Sequence, residues 1–327
     1  MFDVITFGSA SWDIFLKPKN FQIIKDKRFI TGKGLAFNIG SKVDVKEAFF
    51  ASGGGGTNTA VTFAKQGLKV AYCATVGKDI AGREIVEELK RYGIDTKMVF
   101  LTDERPTNYS IVLNSGPKED RTILVYRGAS ECLKSSQIPW EKLKKTKWIY
   151  LAPLSGKLAK LTKKLVDFAF QNKIKIAANF GNSQLSLPKK LINDILKKIN
   201  VLILNREEAS LLTKTPFEKE KEIFSKIDKL CPNIAVLTRG KEGVIVSDGE
   251  YIYKAPSQKV KVADATGAGD AFSAGFVSRL ILGHDIESAI QFGIANASFC
   301  LKEWGAKNGL LGKGQRFKKV KVTKIKI

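Results

Sequence analysis

The apolar positions of the chain follow more than one rhythm. Phe2-Asp-Val-Ile-Thr-Phe-Gly8 is a short apolar run closed by a glycine, the pattern of a buried first strand that ends in a turn. From Trp148 onward such runs recur, at 148–152, 175–178, 201–204, 234–237 and 244–247. Between most of them apolar residues fall at helical spacing, over 158–170, 191–199 and 217–230. Strand–helix alternation of this kind predicts an α/β fold with a mostly parallel sheet covered by helices.

Two stretches depart from it. Residues 14–50 hold short strand-like pieces and a glycine-containing loop over 31–41, with no long helix. In 97–127, Asn108-Tyr-Ser-Ile-Val-Leu113 and Arg121-Thr-Ile-Leu-Val-Tyr126 flank Asn114-Ser-Gly-Pro-Lys, which predicts a hairpin. Between the two stretches, Gly53-Gly-Gly-Gly-Thr-Asn58 leads into Val61, Phe63, Ala64 and Leu68 at helical spacing. Asn58 then falls in a first helical turn, where it caps backbone or points its amide at a ligand. The tail, 317–327, alternates apolar residues with lysine and predicts an edge strand with one lysine-guarded face.

The most concentrated chemistry is Asp264-Ala-Thr-Gly-Ala-Gly-Asp270. Ala271, Phe272, Gly275, Phe276, Arg279 and Leu280 come next at helical spacing, so a helix starts near Ala268 or Gly269. Its free N–H groups and positive dipole end would then lie among the small residues, which makes an anion site with Asp270 at its mouth. Gly-Ala-Gly-Asp alone is also ordinary helix punctuation, and both readings stand on those four residues.

At full length the stretch, with the adjoining Ala-Phe, resembles the C-terminal signature of the ribokinase-like (PfkB-type) carbohydrate kinases, Asp-Thr-Thr-Gly-Ala-Gly-Asp-Ala-Phe; only Ala265 departs. The family's N-terminal signature is similar to Gly53-Gly-Gly-Gly-Thr-Asn58-Thr-Ala-Val, then Gly67-Leu-Lys-Val, Val76-Gly-Lys-Asp79 and Gly82. Two long motifs about two hundred residues apart, in the right order, are far more specific than one glycine motif.

The resemblance implies a single ribokinase-like kinase domain over 1–327, a three-layer sandwich. A mostly parallel central sheet would carry a small β-sheet lid, formed by about 13–50 and 97–128, over the sugar site. It implies ATP-dependent transfer of the γ-phosphoryl group to a hydroxyl of a sugar or nucleoside, with Mg2+. Asp270 would be the base, and the backbone of Gly267, Ala268 and Gly269 the anion hole. Asp13, Gly54, Gly55 and Asn58 would line the acceptor site. Asn205, Thr238, Gly240, Gly243 and Asn296 would face the nucleotide, with Glu208 acting on magnesium through water. Asp264, Thr266 and Gly305-Ala306 match the place where many members bind a monovalent cation such as K+. The chain departs from ribokinase itself at Gly55 (there a lysine), Gly309 (there a serine) and 152–156, which offers no acid where ribokinase has a glutamate.

Composition narrows this further. The 327 residues, 44% hydrophobic, suffice for one large domain or a large domain with a small one. With no apolar run of membrane-spanning length and no signal-peptide pattern, a soluble cytoplasmic protein with no membrane partner is expected. Cys73, Cys132, Cys231 and Cys300 are scattered and read as buried free thiols. His284 is the only histidine and sits in a Gly-His-Asp turn, so proton transfer falls to a carboxylate. The net charge of +23 raises nucleic-acid binding. Its lysines lie along predicted helix faces, without a basic module interleaved with aromatics, so no nucleic-acid partner is expected.

There is no GxxxxGK[ST] loop and no GxGxxG after the first strand, which disfavours a Walker-type enzyme and a dinucleotide-binding dehydrogenase. The alternative to a kinase is a catalytically silent ligand-binding or regulatory protein on the same fold. Both monomer and homodimer fit the sequence. Asp13 and Asn58 suit vicinal hydroxyls, and no arginine stands beside 53–58, although Arg105 or Arg121 could reach in from the lid. A neutral acceptor is therefore expected.

Overall fold

Neighbouring residues of the first strand point into two different cores. Val4 and Ile5 are both fully buried, yet they belong to separate apolar clusters on opposite faces of the sheet. Successive strand residues can both be buried only when helices cover both faces. The computed structural model describes residues 1–29, 32–114 and 121–327.

In chain order, β1 (Phe2–Phe7) leads into β2 (Ser11–Pro18), β3 (Gln22–Lys25), β4 (Lys33–Ala36) and β5 (Val45–Gly53). Then come α1 (Gly55–Lys65), β6 (Val70–Gly77), α2 (Ile80–Arg91), β7 (Asp95–Thr102), β8 (Asn108–Asn114) and β9 (Arg121–Tyr126). The alternating half comprises α3 (Trp140–Leu143), β10 (Thr146–Leu151), α4 (Leu161–Gln171), β11 (Lys175–Asn179), α5 (Asn182–Leu185), α6 (Lys189–Leu196) and β12 (Val201–Asn205). It continues through α7 (Arg206–Thr213), α8 (Glu220–Leu230), β13 (Ile234–Thr238), β14 (Val244–Ser247) and β15 (Tyr251–Ala255), and closes with α9 (Ala268–Ile281), α10 (Ile286–Cys300) and β16 (Thr323–Lys326).

The large sheet has ten strands in the order β16-β15-β14-β13-β12-β11-β10-β1-β6-β7. It is parallel from β7 to β13 and antiparallel over the last three pairs. Leu165, Ile192, Ile195 and Ile223 of α4, α6 and α8 cover one face; Val61, Phe63, Ile85, Leu89, Phe276 and Ile290 of α1, α2, α9 and α10 cover the other. A second sheet, ordered β5-β2-β8-β9, stands apart from the first, and β3 and β4 pair as a hairpin. In doubly wound sheets the carboxyl ends of the strands open onto one crevice, and here the loops after β1, β12 and β13 share that side.

Three expectations change. Residues 97–102, placed with the lid, form β7 at the edge of the large sheet, because Met98 is buried in its core. The small sheet begins instead at Asn108 and, on its other side, at Ser11. Of the tail, only Thr323–Lys326 is a strand, since its partner β15 offers just five residues; upstream, Phe317 packs edge-on against Phe292. The β8–β9 hairpin forms, but its turn lies from 115 on outside the described residues, as does Thr31 of the 31–41 loop. Cys132 is only partly buried, unlike the other three thiols.

Asp79 ties the large sheet to the small one. It caps α2, accepting from the Gly82 N–H at 2.8 Å, and accepts from the Thr107 N–H and hydroxyl at 2.8 and 2.7 Å. Burial pushes its carboxyl up, but the donors from Thr107 and Gly82 outweigh that and hold it below the ordinary value. A lowered folded value contributes stability that is full above the unfolded value and lost as pH falls through the folded one. Asp79→Ala should cost about 1–2 kcal/mol in urea unfolding at pH 7, with the deficit against wild type shrinking as the titration is carried below about pH 4.

Candidate active site

The start of α9 is built for close approach. Gly267 precedes the helix at φ 76°, a left-handed conformation, and a Cβ there would lie 2.2 Å from Ala306 Cβ. No side chain caps this helix, so its first-turn N–H groups keep their capacity for an external acceptor. Ala268 and Gly269 line a cavity of about 710 Å3 beside them.

The start of α1 meets it. Asn58 Nδ2 donates to Asp270 Oδ2 at 2.8 Å, joining residues 212 positions apart. Gly54 has φ 95° and backs onto Ser9 O, which a Cβ would approach to 2.4 Å. Gly55 lies against the same aspartate: a Cβ there would sit 3.4 Å from Asp270 Oδ1. Asn58 Oδ1 is buried without a protein partner, which leaves it free to accept a hydrogen bond from a ligand or water. Asp13 is 5% exposed, accepts from the Ser11 hydroxyl at 2.8 Å and rests on Gly53. Asp13, Gly54, Gly55, Asn58 and Asp270 therefore form one cluster, with Ala268 and Gly269 at its edge.

Electrostatics in the cluster run against its carboxylates. Burial pushes the Asp270 carboxyl up; the Asn58 amide lowers it again, and the Asp13 charge adds to the rise. Burial likewise raises Asp13, whose bonds to Ser11 and Ser110 and the nearby Lys307 ammonium only partly compensate.

The cavity brings together Thr238, Gly240 and Gly243 with Ala268 and Gly269, and its floor is apolar, with Val244, Phe272 and Ile294. A Cβ at Gly243, which has φ 92°, would strike Ala255 O at 2.0 Å. Two residues expected at the nucleotide do other work. Asn296 is fully buried; its amide donates to Ala271 O at 2.8 Å and its oxygen accepts from the Leu311 N–H at 2.9 Å, so it clamps α10 to α9 and to the C-terminal segment. Asn205 caps α7: its oxygen accepts from the Glu208 N–H at 2.8 Å while Glu208 Oε2 accepts from the Asn205 N–H at 2.9 Å. The helix-start reading of Asn-x-x-Glu thus accounts for Asn205.

Glu208 still lies near enough to the site to feel the Asp270 charge. Burial pushes its carboxyl up, the Asn205 and Asn179 bonds oppose this, and the Asp270 charge adds to it. Both of those bonds fall on Oε2. Asp264 accepts from Thr266 N–H and hydroxyl at 3.0 and 2.9 Å on one oxygen and from Gly305 N–H at 3.1 Å on the other. A Cβ at Gly309 would come within 2.2 Å of Phe299 O, which explains the glycine there. Among the described residues no group of three or more His, Cys, Asp and Glu side chains is placed to hold a metal.

Lys307 is not legible in the sequence. It is one of 55 basic residues there, yet it is 3% exposed and its ammonium binds Glu88 at 3.0 Å near Asp13 and Asp270. Phe15, Phe49 and Trp304, which pack edge-on or tilted against one another beside it, also escape a sequence reading, since aromatics at strand spacing read as ordinary core.

An uncapped helix start with a carboxylate at its mouth, beside a cavity at the carboxyl ends of a parallel sheet, is an α/β arrangement suited to an anionic ligand. The chain belongs to the pfkB family of carbohydrate kinases, whose model matches residues 31–311. It is 28% identical over 279 residues to a ribokinase of Lactococcus lactis, covering 84% of this chain and 87% of that one. It is 24% identical over 274 residues to a nucleoside kinase of Methanothermobacter thermautotrophicus, covering 82% and 84%. In fold it is similar to a ribokinase of Thermotoga maritima, with a TM-score of 0.77, 21% identity and coverage of 96% and 97%.

The geometry can be checked by stability measurements. A raised carboxyl value stabilises the fold fully below the unfolded value, and that contribution is lost as pH rises through the folded one, so at neutral pH Asp13 and Asp270 oppose folding. Asp13→Asn and Asp270→Asn should each raise Tm by about 1–3 °C at pH 7.5, with no gain by about pH 4. Asn296→Ala, which leaves Leu311 N–H and Ala271 O unpaired, should cost about 2–3 kcal/mol in urea unfolding while leaving the KM for ATP within about twofold of wild type.

Proposed function

We propose that the protein transfers the γ-phosphoryl group of ATP to a primary hydroxyl of a neutral sugar or of the ribose of a nucleoside. The observation that carries this reading is the contact of Asn58 with Asp270 at the open start of α9, between the glycine loop and the cavity. The cavity takes the nucleotide, and the Asp13–Asn58 cluster takes the acceptor. A bond forms between the acceptor oxygen and the γ-phosphorus as the bond from that phosphorus to the bridging oxygen of ADP breaks. The acceptor proton passes to the Asp270 carboxylate. The Asn58 amide holds one oxygen of Asp270 and leaves the other for the hydroxyl. In a loose transition state the proton leaves late, so position counts for more than basicity. The N–H groups of the first turn of α9 offset charge on the equatorial oxygens.

Glu208, with Oε1 clear of the Asn205 and Asn179 donors, would hold hydrated magnesium, which supplies charge neutralisation between the phosphates. At Asp264, Oδ1 takes two donors from Thr266 and Oδ2 only the Gly305 N–H, so Oδ2 is the oxygen that would face a monovalent cation. The four-stranded sheet is read as a lid that carries Asp13 over the acceptor. The neutral acceptor is favoured because Arg105 is paired with Glu131 at 3.3 Å. The names of the Lactococcus and Methanothermobacter relatives support a sugar and a nucleoside equally.

The deciding experiment is an ADP-release screen over neutral pentoses and hexoses, nucleosides, sugar acids and sugar phosphates. The highest kcat/KM should fall on a neutral sugar or a nucleoside; a phosphorylated sugar or sugar acid as best acceptor would overturn the acceptor class. With the acceptor found, Asp270→Asn should lower kcat by roughly two or more orders of magnitude with ATP affinity little changed. No turnover with any acceptor, alongside intact ATP binding, would favour the catalytically silent reading.

A further inference from the structure

A buried ammonium is costly unless it is fully paired, and surface lysines elsewhere in this chain pair in solvent. Among the described residues Lys307 is the one buried lysine. It is 3% exposed and donates to Glu88 of α2 at 3.0 Å and to the Ser52 hydroxyl at the end of β5. The Ser52 hydroxyl in turn donates to the same Glu88 oxygen, so the three groups close a ring. Ser52 is itself 4% exposed.

The acceptor loop begins immediately after Ser52. Gly53 supports Asp13, and its carbonyl accepts from the Thr57 hydroxyl at 2.7 Å; Gly55 abuts Asp270; Asn58 binds Asp270. The segment that carries Lys307 is anchored twice more, by Gly305 N–H on Asp264 at 3.1 Å and by Trp304 packed on Phe15 and Phe49. We infer that Lys307 is a positioning residue for phosphoryl transfer: through Ser52 and Glu88 it bolts the end of β5 to α2 and so fixes where the acceptor loop begins. The inference rests on the kinase reading of the site.

The charge environment agrees with a fully engaged cation. Burial pushes the Lys307 ammonium down from the ordinary lysine value, and the carboxylates of Glu88, Asp13 and Asp270 pull it back up. The ring itself needs only Glu88 to satisfy the charge. The Ser52 bond is the part that reaches the acceptor loop.

Two variants separate positioning from bulk stability. Lys307→Met with Glu88→Gln removes both charges together and leaves no lone buried ion. Ser52→Ala keeps the ion pair and removes only its grip on β5. D-ribose and adenosine serve as acceptors, with steady-state kinetics in both substrates, melting temperature, and hydrogen exchange of the free protein over 51–58 against β10–β12. Each variant should raise the KM of the acceptor about tenfold with the KM of ATP within about twofold, and should speed exchange over 51–58 alone. A wild-type acceptor KM in Ser52→Ala overturns the inference. So does an equal rise in both KM values with a general loss of Tm, which is what a merely structural ion pair would give. If the double variant does not fold, Ser52→Ala decides by itself. If wild type turns over neither acceptor, unchanged exchange over 51–58 in the variants still overturns the bolt.

Discussion

The structure depends on one close approach. The starts of α1 and α9, separated by some two hundred residues of chain, come close enough for the Asn58 amide to reach Asp270. The loops that lead into both helices are held tightly against their neighbours by residues that carry no side chain. Gly54, Gly55 and Gly267 are set against Ser9 O, Ala152 and Ala306 at separations that a Cβ would shorten to 2.4, 3.2 and 2.2 Å. Two helix starts facing one space concentrate positive dipole ends there, which suits a phosphate in passage and two carboxylates in residence.

The same approach makes the site electrostatically uneasy. Asp13, Asp270 and Glu208 each have carboxyls raised by burial, and Asp270 adds to the rise at Glu208 as Asp13 does at Asp270. Close carboxylates that cost stability when ionised are commoner at functional sites than in scaffold. Stabilising elements sit outside the cluster. Asp79 fastens the passage to β8, and Asn296 fastens α9 to α10.

Much of this is legible in the residues, for a physical reason. Glycine runs and helix starts are local, so 53–58 and 264–270 can be read directly, and apolar periodicity marks the parallel half of the sheet. Side-chain partners across the fold are not local. Asn58 and Asn296 are the same residue type in helical settings, yet one binds Asp270 and keeps an unpaired oxygen while the other is consumed by Ala271 and Leu311. Nothing short of the tertiary arrangement separates them. The limits of the small sheet escape a local reading for a related reason: 97–102 is a short apolar strand like those of the lid, but it pairs with β6 and Met98 enters the main core.

The net charge of +23 takes on a different meaning beside the fold. Many of its lysines are engaged in pairs on helix surfaces, as where Lys163 and Lys198 share Asp167 and Asp194. Such pairs contribute little individually and leave a diffuse positive field, which steers a nucleotide but does not recognise one. Lys307, near Asp13 and Asp270, is instead withdrawn from solvent and bound to Glu88. Its charge therefore acts on the shape of the cluster and on the carboxylates within it, and the chain's excess of lysine and the chemistry of its site are separate matters.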